Sequence, residues 1–128
     1  MKPPILLVGR ELPRMAQISL ALDPREYTPV MAGVKSPLAY LAAYGSQTPA
    51  GAVVELLGTE NIVEVEEALQ KSNGAAIVFL IDRMPPSAAM ARVASDRAVF
   101  LDKAESALTI SATLIALVFQ RTLQAKQA

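Results

Sequence analysis

The chain has 128 residues, enough for one domain with its own core, and 52% of them are apolar, which excludes a disordered chain. Twelve basic residues balance twelve acidic ones, so no net charge draws the protein to nucleic acid or to an anionic membrane. Cysteine, histidine and tryptophan are absent, which removes disulfides, thiolate nucleophiles, Cys/His zinc sites and histidine acid–base catalysis. Carboxylates, Lys, Tyr, Ser and Thr remain for any chemistry, and no cofactor is expected. The N-terminal apolar run is too short for a signal peptide and is broken by Arg10 and Glu11. The uncharged stretch from Ser106 to Gln120 falls short of the roughly 20 residues that span a bilayer. The chain reads as cytoplasmic, with no membrane and no direct nucleic-acid partner.

Ile5 to Val8 is a continuous apolar run after two prolines, as in a strand buried on both faces. Leu12 to Leu22 has near-helical apolar spacing, with Pro13 suited to a first turn and Asp23-Pro24 ending it. Tyr27 to Ala32 reads as a second strand, which Pro29 assigns to an edge. Ser36-Pro37 opens a helix over Leu38 to Tyr44, and Gly45 to Pro49 is loop. Ala52 to Leu57 (AVVELL) is a third strand. Asn61 to Lys71 is a helix with Ile62, Val65, Ala68 and Leu69 on one face and glutamates on the other. The acidic residues Glu60, Glu64, Glu66 and Glu67 read as its solvated side.

Asn73-Gly74 is a turn before the strongest strand signal, Ala76 to Ile81 (AIVFLI). Met84-Pro85-Pro86 breaks the chain ahead of a short helix at Ala88 to Ala94. Ala98 to Leu101 is a fifth strand, and Glu105 to Leu123 is the last and longest helix. The end, LQAKQA, looks unstructured. Strands alternating with helices predict a three-layer α/β domain of flavodoxin-like architecture, a five-stranded parallel sheet with helices on both faces. No repeat or linker divides residues 1–128, so one domain is expected.

In such sheets the functional crevice lies beyond the carboxyl ends of the strands. That places Gly9, Arg10 and Glu11, then Glu55, then Asp82 and Arg83, then Asp102 and Lys103 around one site. Glu55 stands inside an apolar run, where an unpaired charge is costly; Lys103 or Arg10 is its expected partner. Arg10 and Arg83 come with no glycine-rich phosphate loop, and a lone Gly9 does not make a nucleotide fingerprint.

This order and spacing resembles the receiver domain of bacterial two-component response regulators, over nearly the whole chain. The resemblance implies an acidic Mg²⁺-binding pair after strand one, a phosphoaccepting Asp after strand three, a Thr or Ser after strand four and a Lys after strand five. At those positions this sequence has Gly9 and Arg10 (with Glu11 following), Glu55, Ile81 or Asp82, and Lys103. Phe100 matches the switch-like aromatic before the Lys, while Ala104 replaces the usual proline. Only the Lys position is kept. The chain is thus similar to a pseudo-receiver, a regulatory module that signals by protein–protein contact without aspartyl phosphorylation, and it is not expected to be an enzyme.

The last helix carries apolar residues around more of its circumference than one core stripe needs, and an exposed apolar patch marks an interaction site. Leu108, Ile115, Val118 and Phe119 are taken as that face. Receivers commonly associate through their last two helices, so the resemblance implies a homodimer or a protein partner there, with an output domain following in a longer regulator. The alternative function is a small flavodoxin-like ligand- or nucleotide-binding domain or enzyme using Glu55, Asp82 and Lys103. A third reading is a receiver phosphorylated at Asp82 or Asp102.

Overall fold

The computed structural model describes residues 2–44, 49–72, 74–82, 92–93 and 97–127. Five strands are found among them: β1 (Pro4–Gly9), β2 (Thr28–Gly33), β3 (Gly51–Glu55), β4 (Ala76–Ile81) and β5 (Ala98–Asp102). The helices are α1 (Leu12–Leu20), α2 (Pro37–Tyr44), α3 (Ile62–Lys71) and α4 (Ala107–Gln127). All strand pairs are parallel, in the order β2-β1-β3-β4-β5. This is the expected three-layer α/β architecture. Of the short helix expected at Ala88 to Ala94 only Arg92 and Val93 are among the described residues, and the rest, with Arg83 and the Met84-Pro85-Pro86 break, lies outside them.

The three central strands read as unbroken apolar runs because they have no solvent face. Alternate residues feed two cores. Leu6, Val8, Val54, Ile77 and Phe79 meet α2 and α3, while Ile5, Leu7, Val53, Val78 and Leu80 meet α1 and α4. Pro29 sits on edge strand β2, where a missing N–H costs no ladder bond on the open side. Helix α3 starts at Asn61, whose Oδ1 accepts the Glu64 N–H at 2.9 Å.

Helix α1 ends at Leu20 rather than Leu22, and α4 is bounded differently at both ends. Ser106 caps α4, its Oγ accepting the Thr109 N–H at 3.1 Å, so the helix begins at Ala107 rather than Glu105. The helix also runs to Gln127. Leu123 to Gln127, most of the end expected to be unstructured, is helical, as its Leu, Gln, Ala and Lys content favours. As a 20-residue helix, Ala107–Lys126 is long and apolar enough to cross a membrane by length and composition, a span that takes in Arg121 and Lys126 beyond the uncharged stretch. Its inner stripe is nevertheless seated on the sheet: Ile110 and Leu114 are fully buried, and Leu117 and Val118 nearly so. At about 1.5–3 kcal/mol per buried aliphatic side chain, these four residues hold the helix firmly.

The seat is close. A Cβ at Gly51, the first residue of β3, would lie 2.9 Å from Val118 Cγ2 and 3.1 Å from both Leu114 Cδ1 and the Ala76 carbonyl. Gly51→Ala is therefore expected to destabilise the fold by about 1–3 kcal/mol through overpacking. Urea unfolding measures this directly, and a variant as stable as the parent would mean that α4 has room to lift.

Candidate functional site

Charged residues are excluded from the interior of the central strands and collect at their carboxyl ends, Glu55 as the last residue of β3. Register brings them together. Val8 of β1 faces Val54 of β3, so Glu55 lies beside the chain as it leaves β1 for α1. Its Oε1 accepts the Arg10 backbone N–H at 2.9 Å. On the other side Glu55 faces Leu80, and Ile81 faces Asp102. Lys103 follows β5 and is two strands away, roughly 10 Å at the usual spacing. Its long side chain reaches back over the end of β4, putting Nζ 3.8 Å from Glu55 Oε2 and 3.5 Å from Asp82 Oδ2.

The two pairs are unequal. Glu55 and Lys103 side chains are 17% and 22% exposed, whereas Asp82 is 70% exposed. Solvent screens the Asp82 pair to little net value. The Glu55 pair is better shielded, and removing one partner would strand a half-buried charge. Lys103 is anchored further by its own backbone: its N–H donates to the Ile81 carbonyl at 2.8 Å. Its carbonyl accepts from Arg14 of α1 at 3.0 Å, and Arg14 also bonds the Glu105 carbonyl.

Arg10, Glu11, Glu55, Asp82 and Lys103 line one crevice of about 410 Å³. The structure thus brings these five expected residues together; Glu55 pairs with Lys103 through the side chain and meets Arg10 through the backbone N–H alone. Three other assignments change. Asp102 does not line the crevice, because its carboxylate accepts the Ala104 N–H at 2.8 Å and shapes the turn after β5. Glu60 is no mere solvated face residue, since its carboxylate accepts the Leu57 and Gly58 N–H groups at 2.8–3.0 Å. Phe100 is 7% exposed and stacks on Phe79 with ring centroids 5.5 Å apart, so it is held within the core. Ile81 ends β4 half-buried, and Gly9 closes β1 with Met15 packed beside it. Arg14 was missed altogether, for no local pattern marks an arginine whose partners lie 89 and 91 residues away.

No family model matches the sequence, and no curated protein does. Solved structures do match. A CheY-like response regulator receiver domain from Methanospirillum hungatei JF-1 aligns at a TM-score of 0.74 and 13% identity, covering 97% of this chain and 99% of that one. An adenylate cyclase structure from Rhodopirellula baltica aligns at 0.74 and 17%, covering 99% and 95%. The receiver domain of a sensor histidine kinase from Pseudomonas aeruginosa PAO1, with magnesium coordinated in its active site cleft, aligns at 0.65 and 12%, covering 92% and 98%. The chain has the receiver fold of bacterial response regulators.

The residues of this crevice do not fit a magnesium ion. Mg²⁺ needs near-octahedral oxygen donors, and among the described residues no group of three Asp or Glu could hold a metal. Glu55 has one oxygen on the Arg10 N–H and the other turned to Lys103. A double-mutant cycle of Glu55→Gln and Lys103→Met, read by urea unfolding, is expected to give a coupling energy of about 1 kcal/mol, within the range for contacting charges. Additive effects would mean that water, rather than the partner, satisfies each charge.

Proposed function

We propose that the protein is a regulatory module of the pseudo-receiver kind, cytoplasmic and non-enzymatic, which acts through protein–protein contact or self-association without aspartyl phosphorylation. The observation that carries this reading is the Lys103–Glu55 pair. In a receiver the Lys awaits the phosphoryl oxygens, and here a carboxylate of the chain itself stands before it at 3.8 Å. The ammonium is engaged in the resting protein, the crevice has no metal donor set, and Arg10 follows β1 where the acidic pair is expected. A fixed internal pair makes the surface around the crevice a constant feature, available for binding without a chemical trigger.

The rival reading, a ligand-binding domain or enzyme in the same crevice, is weaker. Small-molecule sites are walled mostly by apolar groups, and this one is lined by five charged residues. The proposal predicts that acetyl phosphate with Mg²⁺ leaves no covalent phosphate on the protein, as read by intact mass. An adduct of one phosphoryl group, lost in Asp82→Asn or in Asp102→Asn, would replace this reading with that of a working receiver whose acceptor is displaced.

The outer surface of α4 supplies a place for such contact. Leu108 is 71% exposed and Phe119 62%. Val118, expected on the same face, is instead buried against Gly51, and Ile115 lies half-buried at the margin of the core. The interaction face is thus narrower than the sequence implied. Phe119→Glu is expected to abolish self-association or partner binding with the fold intact, checked by light scattering and circular dichroism. Unchanged association in the folded variant would remove α4 from the proposal.

A further inference from the structure

The exposed apolar side chains of α4 lie on one definite flank. Ser111 Oγ donates to the Ile18 carbonyl of α1 at 3.2 Å, so α1 runs beside that position. At 100° per residue, Leu108 and Ile115 stand one turn before and one turn after Ser111. Ala112 and Phe119 continue the same stripe outward. Thr109, Thr113 and Gln120 fall on the opposite flank, toward β5. The apolar stripe therefore adjoins α1, while the β5 side of α4 is polar.

We propose that this α1-side flank is the seam of a parallel, in-register homodimer, in which α4 of one copy packs along α4 of a second. The proposal rests on the self-association reading above and gives it a geometry. Leu108, Ala112, Ile115 and Phe119 recur at intervals of four, three and four residues, the heptad spacing of a two-helix seam. Ala112, small and central, lets the two helices approach. No charged residue occurs on α4 before Arg121, so a second copy is received without burying a charge, and a charged partner would find nothing to pair with. A bilayer would meet Thr109, Thr113 and Gln120 on the same helix, whereas a partner helix covers one stripe only. Around a twofold axis parallel to α4, each seam residue faces its own counterpart.

The chain has no cysteine, so single-cysteine variants of the whole protein report this geometry cleanly. Ala112→Cys is expected to give near-complete disulfide-linked dimer on mild copper–phenanthroline oxidation. Thr113→Cys, one residue around the helix, is expected to give little or none, and light scattering should show a dimer for both before oxidation. A dimer that fails to cross-link through Ala112→Cys, or that cross-links through Thr113→Cys, overturns the seam and leaves self-association standing. An antiparallel pair, in which unlike heptad positions meet, would join Ala112→Cys to Ile115→Cys in a mixed sample and neither to itself, which equally overturns it. A monomer at every concentration overturns both readings. So does a monomer that floats with phosphatidylcholine–phosphatidylglycerol vesicles, which would give the stripe to lipid.

Discussion

Burial of β1, β3 and β4 on both faces is the constraint from which the rest of this structure follows. Residues such as Leu6, Leu7, Val53, Ile77 and Val78 are fully shielded from solvent, and a charge placed among them would require a partner and hydrogen bonds to be tolerated. The sheet interior therefore takes only apolar side chains, and charge appears at the carboxyl ends: Glu55 is the last residue of β3, and Arg10, Asp82 and Lys103 are the first beyond β1, β4 and β5. Parallel pairing lines up those positions at one edge. A crevice ringed by Arg10, Glu55, Asp82 and Lys103 is the consequence of burying the sheet, before any question of function arises.

What distinguishes this crevice is how its charges are arranged. Three carboxylates and two cations line it, and the best-shielded carboxylate is shared between a backbone N–H and an ammonium. A cluster of uncompensated carboxylates attracts a cation; here the cations belong to the chain. Arg14 adds rigidity from a distance, tying α1 to the β5–α4 turn through the Lys103 carbonyl, so the backbone that presents Lys103 is fixed as well.

The sequence made the fold legible because its strands are of the fully buried kind. Ala76 to Ile81 was bounded correctly, since a turn precedes it and a charge follows it. Strand three was read two residues too long because Leu56 and Leu57 prolong the apolar run after Glu55. Leu56 does keep one sheet-like bond, its N–H donating to the Leu80 carbonyl at 2.9 Å. Glu55 was identifiable as a charge inside an apolar run, and Lys103 as a charge just beyond an expected strand. Arg14, Glu60 and the turn role of Asp102 were not, because their partners are backbone groups that no residue type announces. The outer face of α4 was half legible: composition revealed too many apolar residues for one stripe, but which of them face the sheet depends on the register of the helix against Gly51.

These features describe a receiver fold with an internal ion pair in its crevice and a long last helix that carries an apolar stripe. The central claim is that association of this protein does not depend on the crevice chemistry of a working receiver. Sedimentation equilibrium over a concentration series, with and without Mg²⁺ and a small phosphodonor, tests it most directly. The account predicts one association constant under all four conditions. A monomer that dimerises only when both Mg²⁺ and the phosphodonor are present would contradict it.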